Sequence, residues 1–589
     1  MNYKDNTPTE TISRIKKILQ KNNIETTTEV FCSLDSFYSS RIEIVNHDLK
    51  DLHLGTNGKG ITEKLAIASG YAELMERIQN FALIWDYVDY VKLPQCEESN
   101  YKLNHIHKLP ACNFPDNENV EVTFKQFMDS VNDIAPGYNF KEQVGQYKSI
   151  LKINKIPFYS IKKRTTVMLP IDCMYFLSGT TGMCAGNSKE EALVQGICEV
   201  VERYSLYVIY KSQPVLPKID ISGFKNTNVF LNLKENAKKY DLFFEIKDCT
   251  FIEGVPVIGL LIIDKKNSRY TFRLGSDLDI NIALERCVTE IFQGLSGKRN
   301  IFRDINLSDS LNLKEEYRKS LKNGNGHFPF SIFTSIEKQN YICESLKLLS
   351  NKDRLEYLIE NITVKGYDIY IRNNSYLGFP TYHVYIPNVS DSPFQFDNLT
   401  TYITSLKNGQ KQISLFNRLP SLRKSENEYE IKKAISLLEK KSVSYIDTFQ
   451  YNMDMRRLLS TELVVGLLYF ILGDFFNTIE YLKKYTYKNS SDLLINCLLT
   501  FLILRDKHQP KELIDDVLKK IYPTDIIKIV NKSVENNYNV FAYMKIANCF
   551  NCEKCTINSE CRFKDVIEFL WQNIKSNKQN ILKQADLLL

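Results

Sequence analysis

Thr56-Asn-Gly-Lys-Gly60 leads into TEKLAIASGYAELMERIQNFALIW (62–85), and Thr181-Gly-Met-Cys-Ala-Gly-Asn187 leads into SKEEALVQGICEVVERYSLYVIY (188–210). Each is a glycine turn followed by a long run with helical spacing. From the last Gly to the first Glu of the run the interval is 13 positions in both, Gly60 to Glu73 and Gly186 to Glu199. Both runs carry Glu-x-x-Glu-Arg, as Glu73, Glu76 and Arg77 and as Glu199, Glu202 and Arg203. A third stretch has a related shape: Gly275-Ser-Asp-Leu-Asp279 precedes INIALERCVTEIFQG, with Arg286, Glu290 and Gln293.

Residues three apart on a helix share a face, about 5–6 Å apart at their bases. Glu73 and Glu76 therefore point one way, as do Glu199 and Glu202. Thr62, the Ser188-x-x-Glu191 capping box and Asp279 are the expected helix starts. The runs are apolar on nearly every face, which predicts buried helices. Acids so placed must be paired with cations or metals, or become protonated. Two carboxylates on one face suit magnesium, a hard cation that often bridges to phosphate. Glycine turns entering helices offer backbone amides to anions, and Lys59, Lys64, Arg203 and Arg286 add positive charge. One Glu-x-x-Glu-Arg alone would read as a salt-bridged helix face. Two copies at one spacing, with a third helix beside them, point to a nucleotide triphosphate held through magnesium.

Outward from these stretches, Lys155–Met168 and Val255–Leu274 read as strands or hairpins, the second turning at Asp264–Ser268. Tyr367–Arg372 and Thr381–Pro387 also run like strands. After about residue 425 the strand-like runs stop and helical spacing dominates. LLYFILGDFFNTIEYLKKY (467–485) has the look of one tetratricopeptide-like helix pair. The organisation expected is an N-terminal segment (1–44), an α+β domain (45–400) and an all-α domain (425–589).

The chain has 589 residues, 43% apolar and 25% charged, with a net charge of +6. That charge is too small for a general nucleic-acid coat. Met1–Thr11 lacks the apolar core of a signal peptide. The longest apolar run, Leu463–Gly473, falls short of the ~20 residues a membrane span requires. The 14 cysteines are mostly isolated in apolar contexts, as in a reducing cytoplasm. Cys549, Cys552, Cys555 and Cys561 crowd together as a candidate zinc or iron–sulfur site. His105 and His107, between Cys96 and Cys112, are read as ordinary surface or core histidines.

The three glycine-led blocks, with YHVYIPNVSD (382–391), resemble the YcaO family over roughly residues 45–400, and the helical tail resembles that of its enterobacterial member. The resemblance implies a YcaO-type α+β ATP-binding fold with internally repeated motifs, unrelated to P-loop proteins; no Gly-x-x-x-x-Gly-Lys-Ser/Thr is present. By motif position it assigns Glu73, Glu76, Glu199 and Glu202 to magnesium, and Lys64, Asn187, Glu191, Arg203, Arg286 and Glu290 to ATP. It singles out no catalytic residue. It implies phosphorylation of a peptide amide oxygen, then its replacement by a Cys, Ser or Thr side chain, sulfide or an amine. Azoline-forming members commonly end in a proline-rich tail, whereas this chain ends Gln-Ala-Asp-Leu-Leu-Leu589. Two alternatives therefore stand beside the enzyme: an accessory factor for β-methylthiolation of a small-subunit ribosomal protein, and a nucleotide-responsive scaffold without turnover. The implied partners are a peptide or protein substrate, a peptide-clamp, sulfur-delivery or methylthiotransferase protein, and a second copy of the chain. Neither nucleic acid nor membrane is among them.

Overall fold

Each glycine-led stretch folds as a strand followed by a helix that packs on it. In a computed structural model, the described residues are 4–83, 116–135, 150–293, 302–339, 350–391, 418–439, 460–544, 568–569 and 572, with gaps at 34–35, 48, 51–52, 117, 225–226, 306–311 and 536–537. Helix α1 (Pro8–Lys21) precedes β1 (Thr26–Ser33), β2 (Phe37–Ile44) and β3 (Gly55–Gly60), and α2 (Glu63–Gln79) follows. Next come β4 (Glu118–Thr123), α3 (Phe124–Ile134), β5 (Ile150–Ser160), β6 (Thr165–Pro170), α4 (Ile171–Ser178), β7 (Met183–Ala185) and α5 (Lys189–Ser212). Then β8 (Leu216–Ile219), α6 (Asn228–Lys239), β9 (Leu242–Asp248), β10 (Val257–Asp264), β11 (Arg269–Ser276) and α7 (Ile280–Phe292). The α+β part closes with β12 (Arg303–Asp304), α8 (Leu313–Asn323), β13 (Ser335–Gln339), α9 (Asn351–Val364), β14 (Tyr370–Asn373) and β15 (Thr381–Tyr385).

These strands form three sheets: β1-β2-β3; β12-β11-β10-β9-β8-β13; and β4-β5-β14-β15-β7, with β6 on β5. All pairs are antiparallel except β13 with β8. The expected hairpins are present. β10 and β11 pair from Val257↔Ser276 to Asp264↔Arg269. At their turn the Asp264 carboxylate accepts from the Asn267 backbone N–H at 3.2 Å and side-chain amide at 2.7 Å, the local bonding that makes Asp a turn former.

Close strand–helix contact explains the glycines. A Cβ at Gly58 would overlap the Ala66 carbonyl oxygen, and one at Gly275 the Ala283 carbonyl oxygen. In the second unit the strand carries Cys184 instead. There the helix supplies the room: a Cβ at Gly196 would lie 2.7 Å from the Cys184 sulfur.

A buried polar group ties the third sheet together. Arg372 of β14 is fully buried and donates to Asp116, to the Pro157 carbonyl and to the Tyr376 hydroxyl. Next to it His383 of β15 lies between Tyr175, stacked at 5.9 Å, and the edge-on ring of Phe158 at 5.4 Å. Its Nε2 has no hydrogen-bond partner among the described residues. Burial, and then the Arg372 charge, lower the imidazole to about 3 from 6.5. The unfolded chain therefore binds a proton between those values that the folded chain refuses. This lowers stability as pH falls through that window, by at most about 1.4 kcal/mol per pH unit. His383→Gln should remove that slope, read from urea unfolding at pH 7 and pH 4.5; an unchanged slope would refute the assignment. Asp391, raised to about 7 by burial, acts in the opposite sense and is common to both proteins.

Described residues 418–544 form a second compact unit. Its helices are α10 (Lys424–Glu439), α11 (Thr461–Leu472), α12 (Phe475–Lys488), α13 (Leu493–Asp506), α14 (Lys511–Ile521) and α15 (Thr524–Glu535). Gly473, at φ +77, ends α11 in the left-handed conformation, and the Asp474 side chain caps α12 by accepting from Asn477 N–H at 3.1 Å. Leu467, Phe470, Ile471, Leu482 and Leu498 fill its core. Among the described residues no helix is long and apolar enough to cross a membrane. Cys549, Cys552, Cys555 and Cys561 lie outside the described residues, as do Cys96, His105, His107 and Cys112.

Candidate functional site

Helices α2, α5 and α7 come from three different sheets and turn their polar faces into one cleft of about 280 Å³. The helix starts are as expected: Thr62 accepts from Leu65 N–H at 3.3 Å, Ser188 from Glu191 N–H at 3.0 Å and Asp279 from Asn281 N–H at 2.8 Å. The capping box at Ser188 is only half made, because the Glu191 side chain turns elsewhere.

The three helices present equivalent positions. An offset of 126 positions relates Thr62, Ala66, Ser69, Glu73 and Glu76 to Ser188, Ala192, Gln195, Glu199 and Glu202. An offset of 217 relates the first set to Asp279, Ala283, Arg286, Glu290 and Gln293. The last three members of each set line the cleft. They recur at i, i+4 and i+7, one helical stripe, so the shared register delivers three polar side chains from each direction.

The cleft is acidic. Seven carboxylates line it (Glu73, Glu76, Glu191, Glu199, Glu202, Glu285 and Glu290) against five cations (Lys4, Lys59, Arg77, Arg203 and Arg286), a net of two negative charges. The Arg pairings are loose: Arg77 stands 3.6 Å from Glu73 and 3.9 Å from Glu76, and Arg203 stands 3.8 Å from Glu199. Among the described residues Glu202 forms no hydrogen bond or ion pair. Burial raises its carboxyl above the ordinary range, while Arg203 and Lys59 pull it back. Lys59, at the end of β3, contacts Glu290. Loss of water brings its ammonium down to about 8, against the pull of Glu202 and Glu73.

Among the described residues no three or more His, Cys, Asp or Glu side chains converge closely enough to hold a metal ion by themselves. That suits magnesium, which is usually held by one or two carboxylates plus waters and substrate phosphates, not by a complete protein cage. Half-buried acids from two helices and a net negative charge fit divalent cations arriving with a polyphosphate.

Of the residues singled out from sequence, Asn187, Glu191, Arg203, Arg286, Glu290 and both acid pairs line the cleft. Lys64 is exposed and is not among the lining residues, whereas Lys59 is. Glu191 is already engaged. It accepts from Lys4 at 3.1 Å, from the Asp5 backbone at 2.9 Å and from the Asn187 amide at 3.2 and 3.1 Å. Thr11 in turn donates to Asn187 at 2.8 Å. The N-terminal residues thus form one wall of the cleft, which sequence reading missed; their polar, unpatterned composition carries no signal. Ser69 and Gln195 were also missed, and aligning the three stretches on their caps would have found them.

A family model described as YcaO cyclodehydratase, ATP- and Mg2+-binding, matches residues 57–390. The chain is 25% identical over 353 residues to the ribosomal protein S12 methylthiotransferase accessory factor YcaO of Escherichia coli K12, covering 57% of this chain and 57% of that protein. It is 28% identical over 255 residues to an uncharacterized protein of Haemophilus influenzae, covering 41% of each. The chain spans about half the length of the curated relatives it matches. Among solved structures, it superposes on YcaO from Methanopyrus kandleri bound with AMPPCP and Mg2+ with a TM-score of 0.42 at 17% identity, covering 66% of this chain and 92% of that one. For a heterocyclase in complex with substrate and cofactor the TM-score is 0.44 at 18% identity, covering 66% and 53%.

Proposed function

The chain belongs to the YcaO family, whose description is ATP- and Mg2+-binding, and from that premise we propose that it is an enzyme that uses magnesium-ATP to activate a backbone amide of a peptide or protein. The carrying observation is the charge of the cleft. Seven carboxylates against five cations repel a bare triphosphate, so the nucleotide enters with divalent cations. Glu73, Glu76, Glu199 and Glu202 hold the magnesium. Asn187, Arg203, Arg286 and Glu290 orient the nucleotide, with Lys59 in the place that sequence gave to Lys64. Magnesium supplies charge neutralisation on the phosphates. The chain's residues supply fixed geometry and exclude water, the two contributions that dominate phosphoryl transfer.

In the proposed reaction the amide oxygen takes the γ-phosphoryl group and ADP departs. A thiol, hydroxyl, sulfide or amine adds to the carbon, and phosphate carries the oxygen away. An amide oxygen leaves poorly as such and well as phosphate. A second reading takes its support from the name of the Escherichia coli relative: an accessory factor for β-methylthiolation of a small-subunit ribosomal protein.

Turnover in water enriched in oxygen-18 tests the first reading. The full chain is given magnesium-ATP and a pool of synthetic peptides holding Cys, Ser and Thr. Peptide-stimulated ADP release, at least tenfold, with phosphate free of the heavy isotope is expected, because its fourth oxygen comes from the amide. Labelled phosphate would mean simple hydrolysis and would overturn amide activation. ATP binding without peptide-stimulated release would favour the accessory reading.

A further inference from the structure

Beyond Arg203 the sign of the charge reverses. Arg273 of β11 and Arg303 of β12 both lie against the loop that follows α8. The Arg273 Nη2 packs on Gly324, where an added Cβ would come within 2.8 Å of it. Arg303 Nη1 donates to the Gly326 carbonyl at 2.8 Å. Arg273 Nη1 donates to the Phe272 carbonyl at 3.0 Å. Among the described residues neither guanidinium forms an ion pair. Glu316 acts on Arg303, but its carboxylate is already taken by the His327 N–H at 2.6 Å and by Lys319 at 2.8 Å.

Arg273 is the more exceptional of the two. The groups acting most strongly on it are Arg303, Tyr210, Arg203 and Tyr270, with no carboxylate among them. Loss of water, and then the Arg303 charge, pull it down to about 9. Both tyrosine hydroxyls are occupied, Tyr210 with Ser320 at 2.6 Å and Tyr270 by accepting from Phe328 N–H at 2.8 Å. Yet Arg273 stays partly exposed, and Arg203, one of the groups acting on it, lines the cleft. A partly exposed arginine crowded by like charge is what an oxyanion relieves, and its planar fork suits a carboxylate or a phosphate.

We infer that Arg273 and Arg303, with Arg203 as the shared wall, form a metal-independent oxyanion subsite beside the cleft that takes a carboxylate of the peptide or protein substrate. The inference rests on the amide-activation reading of the cleft. The charge pattern favours a carboxylate over a phosphate. A phosphate entering through the acidic cleft brings divalent cations, which three arginines repel, whereas a carboxylate brings none. The subsite therefore selects substrates with an acidic side chain near the reacting amide.

Calorimetry on the full chain tests this with three probes: acetyl-Gly-Asp-Gly-amide, its Asn counterpart and inorganic phosphate. Each is titrated into protein saturated with magnesium and a non-hydrolysable ATP analogue. The Asp peptide is expected to bind at least tenfold more tightly than the Asn peptide. That preference should vanish in Arg273→Gln and Arg303→Gln and persist in Arg273→Lys, with analogue affinity unchanged within twofold. Circular dichroism selects variants that fold, and Arg303→Gln serves if Arg273→Gln does not. Binding of phosphate alone, lost in the same variants, would make this a path for product and would overturn the carboxylate assignment. Equal affinity for the two peptides would overturn it as well. If the analogue fails to bind the wild type, the cleft reading falls, and the same titrations on nucleotide-free protein still decide the subsite.

Discussion

Glu199→Gln/Glu202→Gln is expected to lower magnesium-dependent ATP affinity at least a hundredfold, and to raise affinity for ATP measured without magnesium. The opposite signs follow from one count. Wild type lines the cleft with two more negative than positive charges, and the double substitution brings that balance to zero. A metal-free triphosphate then meets less repulsion, while a metal-bound one loses two ligands or their water-mediated contacts. The substitution keeps shape, and Glu202 is under-paired among the described residues. The protein should therefore fold at least as well as wild type. Calorimetric titration of ATP with magnesium and with a chelator reads both signs. Tighter binding in both conditions would mean that the arginines hold the phosphates directly and that these acids are no metal ligands.

Asp116→Ala is expected to destabilise the first unit by about 3 kcal/mol, since removing the half-buried carboxylate leaves the charge of a fully buried arginine uncompensated. Arg372 is fully buried. Asp116 grips it with both oxygens, at 2.9 and 2.5 Å, while the Pro157 carbonyl at 2.9 Å and the Tyr376 hydroxyl at 2.7 Å complete the set. The double substitution Asp116→Ala/Arg372→Met should recover much of the loss, because no charge is then stranded. Urea unfolding with a probe in the first unit measures both, as two units need not unfold together. A loss under 1 kcal/mol in the single variant would mean that water reaches Arg372. The effect should extend to nucleotide affinity: β14 pairs with β15, and β15 pairs with β7, the strand that leads into α5.

How much of this was legible in the sequence follows from the range of each interaction. The acid pairs, the caps and the hairpin at Asp264–Ser268 depend on neighbours a few positions apart, so spacing reveals them. That Lys59 lines the cleft and Lys64 does not depends on where β3 ends relative to α7, a distance in space that no local pattern encodes. Asp116 and Arg372, and Arg273 with Arg303, look like ordinary charged residues in the sequence. Only the packing of distant strands and loops makes the first pair a clamp and the second a pair of under-neutralised cations. The Ser188 box was half right, since a local rule predicted Glu191 folding back and a long-range partner, the N-terminal segment, took its carboxylate.

The matched register of the three strand–helix units separates where a side chain sits from what it is. Ser69, Gln195 and Arg286 occupy one kind of station; Glu73, Glu199 and Glu290 another; Glu76, Glu202 and Gln293 a third. The frame is near-repetitive: one station is Glu in all three units, and the other two vary. A sequence change at one station can re-address the cleft without moving backbone, as characters are exchanged on a fixed keyboard. That gives the scaffold room to diverge in chemistry while its three-cornered geometry stays in place.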